Sequence, residues 1–197
     1  MGNEHRPLVL ASTSRYRRSL LERLGLPFSV ESPGMDETAL PGEGAAAAAI
    51  RLSEAKARAV AARHSDALVI GSDQVADCAG RHVGKPGSRE GALAQLRSLA
   101  GQTVVFHTGV ALVDAKSGRC CVEQVDVHST FRPLSEAEIV AYVDREQPFD
   151  CAGSVKSETL GIVLFERIVS DDPTALIGLP LIALARMLRA EGVDVLR

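Results

Sequence analysis

The chain has 197 residues, of which 46% are hydrophobic and 24% are charged, with a formal net charge of −3. This length and apolar content suit a single domain over residues 1–197, and the weak charge argues against a protein that binds nucleic acid polymers. With no run of about 18 apolar residues, no signal-peptide stretch and four cysteines without a CxxC pair, we expect a cytoplasmic protein with no membrane contact and with reduced thiols.

Strands and helices are predicted to alternate in the first half of the chain. The pattern predicts a strand at Pro7–Ala11, a helix capped within Ser12–Ser14 and ended by Gly25, a strand at Phe28–Glu31, an Ala-rich helix from Ala45 to about His64, and a buried strand at Ala67–Gly71. We expect this last strand to end before Ser72 and Asp73.

The second half adds a predicted hairpin and three helices. They are a helix at Ser88–Leu99, long strands at Thr103–Val113 and Cys121–Phe131, a helix at Ser135–Arg145 with a capping box, a strand at Ile162–Glu166, and a helix at Pro180–Ala190. Such mixing predicts an α/β fold, and the hairpin predicts a mixed rather than a purely parallel sheet.

Polar residues between the first strand and the first helix are candidates for anion binding. A helix N-terminus attracts anions, the Ser12 hydroxyl adds a donor, and Arg17 and Arg18 offer bidentate contacts to phosphate. A capped helix with solvated arginines explains the same pattern, so both interpretations stay open here.

A second polar stretch follows the buried strand. Asp73 comes where ligand crevices form in α/β sheets, and such a carboxylate can act as a general base or as a metal ligand. Lys85 follows in a Gly-Lys-Pro turn. A third stretch, Cys151–Glu158, has the Gly and Ser content of a loop that passes close to a ligand. An ordinary strand-end Asp and an ordinary surface loop are the alternatives.

Taken together, these motifs resemble the Maf family of nucleotide pyrophosphatases from Leu8 to about Gly192. The matching segments are LASTSRYRR, MDET, EAKA, GSDQV, GKP, FHTGVAL and CAGSVKSETLGI. The last two, with GLPLIAL at Gly178–Leu184, are similar to the branch that hydrolyses 7-methyl-GTP, whereas the branch acting on dTTP and UTP has Thr after the catalytic Asp.

The resemblance implies a fold, a reaction and a set of site residues. The fold would be an elongated mixed β-sheet with two α/β lobes around a central cleft, as in inosine triphosphate pyrophosphatases. The protein would be a homodimer that uses Mg²⁺ or Mn²⁺ to cut a nucleoside triphosphate into its monophosphate and pyrophosphate. The implied residues are Asp73 as catalytic base, Glu37 with Asp73 at the metal, Ser12, Arg17, Arg18, Lys56, Lys85 and Lys156 at the phosphates, and Tyr16, Gln74 and Glu158 for specificity.

The implied specificity residues suit a methylated purine. The 7-methylguanine ring is cationic, so stacking on Tyr16 would contribute roughly 0.5–2 kcal/mol, while Glu158 can accept hydrogen bonds from the base. Tyr16 stands where this branch usually has Trp, and Val155 stands where it has an aromatic residue. The alternatives are a pyrophosphatase for UTP, dTTP or ITP, and a nucleotide-binding regulator of cell division without turnover.

Overall fold

The computed structural model describes residues 6–196, which form two compact units. The first unit (unit 1) comprises the chain up to Asp73, Thr108–Val125 and the chain from Asp172 onward. The second (unit 2) comprises Gln74–His107 and Asp126–Asp171. The single domain over residues 1–197 stays a prediction.

A mixed sheet runs through the described residues, as predicted. Its strands are β1 (Leu8–Ala11), β2 (Ser29–Glu31), β3 (Leu68–Cys78), β4 (Arg81–Val83), β5 (Thr103–Asp114), β6 (Cys120–Phe131) and β7 (Phe165–Ser170). The order is β2-β1-β3-β5-β6-β7, and β4 pairs with β3. β1 is parallel to β2 and β3, whereas β4 is antiparallel to β3 and β7 is antiparallel to β6.

Three of the five α-helices in residues 6–196 begin at a serine that caps the first turn. The five helices are α1 (Arg15–Glu22), α2 (Ala45–Ala61), α3 (Arg89–Leu99), α4 (Glu136–Glu146) and α5 (Leu181–Ala190), with short 3-10 helices at Ala152–Ser154, Leu160–Leu164 and Ala175–Ile177. Hydroxyls of Ser14, Ser88 and Ser135 each accept a backbone N–H of the first turn, and Ser135 and Glu138 form the predicted capping box.

Unit 1 buries apolar side chains on both faces of its part of the sheet. Leu8 and Leu10 pack with residues of α1 and α5, whereas the alternate residues Val9 and Ala11 pack with Ala57 and its neighbours on α2. Successive strand residues point to opposite faces, so α2 covers one face while α1 and α5 cover the other.

Unit 2 has its own core beneath a helix pair. Helix α3 packs against α4. The chain has no Trp, and the buried Phe106 and Phe131 supply large aromatic side chains to this unit. The rings of Phe131 and Phe165 lie 4.7 Å apart between centroids in a tilted arrangement.

Two predicted strand boundaries are wrong. β3 does not end at Gly71 but continues to Cys78, so Asp73 lies inside a strand rather than after one. The apolar run stops at Gly71, but the backbone stays extended through the buried polar residues Ser72 and Asp73. The strand predicted at Ile162–Glu166 begins only at Phe165, and a 3-10 helix precedes it. Short apolar runs do not distinguish strand from helix by pattern alone.

Among residues 6–196, no helix is both long enough and apolar enough to cross a membrane. None of the four cysteines, all of which lie in this range, takes part in a disulfide.

Candidate active site

Three charged side chains of unit 1 meet at a buried point. Lys56 Nζ lies 2.6 Å from Asp73 Oδ1 and 2.7 Å from Glu37 Oε2. Lys56 is 3% exposed and Asp73 is 7% exposed, whereas half of the Glu37 side chain reaches solvent. A buried ammonium is stable only when it is paired, so both carboxylates compensate Lys56. The structure thus brings together two predicted metal ligands and one predicted phosphate ligand.

Close packing of α2 on the sheet produces this meeting point. A methyl group at Gly71 of β3 would lie 2.2 Å from the carbonyl oxygen of Ser53, and one at Gly109 of β5 would lie 2.5 Å from the Ser53 hydroxyl. Only glycine allows the helix backbone to lie this close. Lys56, which follows Ser53 on the same helix, therefore reaches the side chain of Asp73.

Ser53 is a residue that the sequence analysis missed. Its fully buried hydroxyl donates to the carbonyl of Ala49 over 2.6 Å and accepts the backbone N–H of Asp73 over 2.8 Å. A serine on the buried face of an Ala-rich helix, close in sequence to a buried lysine, is the signal that could have identified it.

Arg17 brings a further cation to the group. Its Nε donates to the carbonyl of Gly178 over 2.9 Å, and its Nη1 lies 3.5 Å from the hydroxyl of Ser12, which is itself buried. Burial lowers the pKa of Arg17, while the negative charges of Asp73 and Glu37 act to raise it. An arginine stays protonated near neutral pH, so the half-buried Arg17 is a second positive charge that interacts with these two carboxylates.

The loop that receives Arg17 is held by a buried acid, which the sequence analysis also missed. Asp172 is 1% exposed, and its carboxylate accepts the N–H and hydroxyl of Thr174 over 3.0 and 2.7 Å and the N–H of Ile182 over 2.7 Å. Asp172 thereby caps the start of α5, where Pro180 supplies no side-chain cap. The capped loop presents the carbonyl of Gly178, which Ser72 also approaches to 2.9 Å.

The segment that carries Glu37 is tied to α2 by Arg51. Two guanidinium nitrogens of Arg51 each lie 2.6 Å from the carboxylate of Glu43, and one donates to the carbonyl of Thr38 over 3.3 Å. Asp36 accepts the hydroxyl and N–H of Thr38, and these bonds lower the pKa of Asp36. These contacts order the MDET motif next to the helix that bears Lys56.

Two predicted residues of α1 have local partners. Arg18 has a side chain that is 63% exposed, and its Nε lies 3.0 Å from Glu22 Oε1. The guanidinium of Arg15 lies 4.8 Å from the ring centroid of Tyr16 and donates to its hydroxyl over 2.7 Å. The binding roles of Arg18 and Tyr16 stay predictions.

Four predicted residues belong to unit 2, namely Gln74, Lys85, Lys156 and Glu158. Lys85 is exposed on the loop after β4, and the amide nitrogen of Gln95 donates to the carbonyl of Gly84 over 3.0 Å. The hydroxyl of Ser154 donates to the side-chain amide oxygen Oε1 of Gln95. Gln95, another residue that the sequence analysis missed, thus connects the Gly-Lys-Pro turn to the segment that precedes Lys156 and Glu158.

Lys156 contacts the end of α4. Its Nζ donates to the carbonyls of Glu146 and Gln147 over 2.6 and 3.3 Å, and its N–H donates to the hydroxyl of Tyr142 over 3.1 Å. A cation at a helix C-terminus stabilises the helix, so these contacts describe a structural role. Burial raises the pKa of Tyr142, so its hydroxyl stays protonated near neutral pH. Phosphate binding by Lys156 stays a prediction.

In the described part of the chain, no group of three or more His, Cys, Asp or Glu side chains could by itself hold a metal ion. Mg²⁺ is commonly bound by one or two carboxylates together with substrate phosphates and water. Glu37 and Asp73 are two such carboxylates, and Lys56 contacts only Oε2 of Glu37 and Oδ1 of Asp73.

Comparison with known proteins identifies close relatives over nearly the whole chain. The family described as Maf-like protein matches residues 7–191. The 7-methyl-GTP pyrophosphatase of Aromatoleum aromaticum is 60% identical over 186 residues, which cover 94% of this chain and 96% of that protein. The protein of the same name from Thiobacillus denitrificans is 58% identical over 189 residues, with 96% and 94% covered. The structure of the Staphylococcus aureus Ham1 protein shares the fold, with a TM-score of 0.50 and 15% identity over 94% of this chain and 99% of that one.

Proposed function

This chain belongs to the Maf-like protein family, and on that premise we propose that it hydrolyses 7-methyl-GTP to 7-methyl-GMP and pyrophosphate. Relatives that carry this name are 58–60% identical to it and cover almost all of its length. The observation that carries the proposal is the buried Lys56, which contacts a carboxylate from each of two other segments. A hydrolase that acts on a triphosphate needs cations near the phosphates and an acid that can act as a base, and Lys56, Arg17 and Asp73 supply these types of group.

In this proposal, Asp73 is the general base. Its carboxylate accepts a proton from the water that attacks the α-phosphorus, the bond from that phosphorus to the bridging oxygen breaks, and pyrophosphate leaves. Lys56 donates to Oδ1 of Asp73 and thereby orients the carboxylate. Proton transfer by a positioned side chain typically contributes about 10²- to 10⁴-fold in rate.

We further propose that Glu37 and Asp73 bind a divalent cation, Mg²⁺ or Mn²⁺. Support comes from the type of ligand: the site has two carboxylates, and the side chain of Glu37 is half exposed. A cation bound by two carboxylates has coordination positions left for phosphate oxygens and water. When bound, the cation supplies charge neutralisation on the phosphate oxygens.

The remaining residues complete the proposal. Phosphate contacts are assigned to Ser12, Arg17, Arg18, Lys56, Lys85 and Lys156, and recognition of the base to Tyr16, Gln74 and Glu158. Support is strongest for Arg17 and Ser12. Arg17 Nη1 lies 3.5 Å from the Ser12 hydroxyl, and the negative charges of Asp73 and Glu37 act to raise the pKa of Arg17. A bound anion would compensate the surplus of positive charge at the start of α1.

A substrate panel with pyrophosphate detection tests the proposal. Purified protein is assayed with 7-methyl-GTP, GTP, ITP, UTP and dTTP, with Mg²⁺, with Mn²⁺ and with chelator. We expect the highest kcat/KM for 7-methyl-GTP, and no turnover with chelator. A preference for pyrimidines would contradict the role of Glu158. Nucleotide binding without turnover under either metal would favour the non-enzymatic regulator.

Asp73→Asn tests the base directly. We expect this variant to fold and to lose about 10²- to 10⁴-fold in kcat, because asparagine cannot accept the proton. Asp77→Asn is the matched control: it makes the same change on the same strand, at a carboxylate that accepts the N–H of Gly80 in the turn after β3. A fully active Asp73→Asn variant would show that another group activates the water.

The proposal includes a cytoplasmic homodimer. Thiols outside disulfides suit a reducing compartment. Size-exclusion chromatography with light scattering measures the assembly, and a mass near 20.9 kDa would correspond to a monomer and contradict the dimer.

A further inference from the structure

We propose that Ser53 is a positioning residue for Asp73, acting on its backbone while Lys56 acts on its side chain. The Ser53 hydroxyl donates to the carbonyl of Ala49 and accepts the N–H of Asp73, and it is fully buried. The Ser53 hydroxyl therefore uses its hydrogen as a donor and a lone pair of its oxygen as an acceptor. The inference rests on the proposed role of Asp73 as the base.

Asp73 needs such support because of where it lies in β3. The parallel pairing of β3 with β1 covers Leu68–Ile70, and the antiparallel pairing with β4 covers Ala76–Cys78. Asp73 falls between these two ladders, and its N–H is donated to a helix side chain. A buried backbone N–H requires a partner, and Ser53 supplies the one that a neighbouring strand would otherwise provide.

The same helical turn also supplies the partner of the carboxylate. Ser53 and Lys56 are three positions apart on α2 and lie on one face, so one reaches the N–H of Asp73 and the other reaches Oδ1. Two contacts at different atoms restrict both the location and the rotation of the carboxylate. A base must be held close to its productive geometry, since small displacements are costly in rate.

Gly109 makes room for this arrangement. A methyl group there would lie 2.5 Å from the Ser53 hydroxyl, a distance that contacting atoms do not adopt. Ser53 therefore packs directly against Gly109, and its hydroxyl contacts the backbone N–H of Asp73, the proposed general base.

Kinetics of Ser53 variants test the inference. Ser53→Ala removes the acceptor of the Asp73 N–H, and we expect kcat to fall about 10- to 100-fold while KM changes less than about threefold. Ser53→Thr keeps the hydroxyl and should recover most of the lost kcat. Thr108→Val is the control for loss of a buried hydroxyl in the same unit, since Thr108 donates to the carbonyl of Ala175 over 3.0 Å. It should lower thermal stability and leave kcat within about twofold.

Two results would overturn the inference: a Ser53→Ala variant with the kcat of the wild type, or a loss of kcat that Thr108→Val reproduces at equal loss of thermal stability. If Ser53→Ala does not fold, Ser53→Cys is used instead. A thiol is a weaker hydrogen-bond acceptor than a hydroxyl, so kcat must then be lower with Cys than with Ser or Thr at this position. Amide hydrogen exchange at Asp73 is the readout that does not need turnover. Faster exchange of the Asp73 amide in the Ser53→Ala variant would support the contact between Ser53 and Asp73 independently of activity. A wild type that releases no pyrophosphate would refute the proposed function and leave this contact in place.

Discussion

Replacing Lys56 with methionine removes a buried ammonium and keeps most of its aliphatic length. The carboxylate of Asp73, whose side chain is 10% exposed, then loses the cation 2.6 Å away. Glu37 loses the same partner, but half of its side chain is in water and can be solvated there. The two carboxylates should therefore contribute very unequally to the loss of stability.

The size of the loss follows from that difference in burial. Removing one partner of a buried ion pair costs about 3–5 kcal/mol, because the remaining charge is left without compensation. A contact to an exposed carboxylate contributes about 0–1 kcal/mol. We expect Lys56→Met to lower the free energy of unfolding by about 3–5 kcal/mol, nearly all of it through Asp73.

Urea denaturation of a double-mutant cycle measures this coupling. The proteins are the wild type, Lys56→Met, Asp73→Asn and the double variant. Because the double variant lacks both members of the buried Lys56–Asp73 pair, neither charge is left without its partner, and it should be more stable than Lys56→Met by at least about 2 kcal/mol. Arg58→Met, which breaks the exposed pair with Glu54 on the same helix, is the control and should cost less than about 1 kcal/mol. Additive effects of the two substitutions would refute the reasoning.

Two further predictions concern packing and pH. Gly71→Ala would place a methyl group 2.2 Å from the carbonyl oxygen of Ser53. We expect it to lower the free energy of unfolding, measured with heat or urea, by more than about 3 kcal/mol. Gly44→Ala is the control: its methyl group would meet no atom within 4 Å, so the free energy of unfolding should change by less than about 1 kcal/mol. A tolerated Gly71→Ala would contradict the close approach of α2. Side-chain hydrogen bonds from Arg6 and Ser117 hold the pKa of Asp114 below its usual value of 3.8, so Asp114 stabilises the folded state above that pH and the contribution is lost as the pH falls further. Asp114→Asn should therefore lower the unfolding temperature at pH 7, with a difference that shrinks below about pH 4, and a difference that is constant with pH would contradict this assignment.

Local features of the chain were predictable because their causes are local. The caps predicted within Ser12–Ser14 and at Ser135 were confirmed, since a hydroxyl before a helix satisfies N–H groups within the next few residues. The mixed α/β sheet was likewise confirmed by the strand pairings. The boundary after Gly71 was wrong, because a strand continues through polar residues when tertiary contacts, such as that of Ser53 with Asp73, satisfy them.

The sequence by itself determined the order of the α-helices and of the strands other than β4, the family resemblance and the residue types from which a phosphate site could be built. Only the tertiary structure decided that Lys56, Asp73 and Glu37 share one buried point, and that Ser53 holds the backbone there. The physical reason is distance along the chain: Lys56 lies 17 positions from Asp73 and 19 from Glu37. Contacts across such separations depend on how closely a helix packs on a sheet, which two glycines with no catalytic chemistry of their own permit.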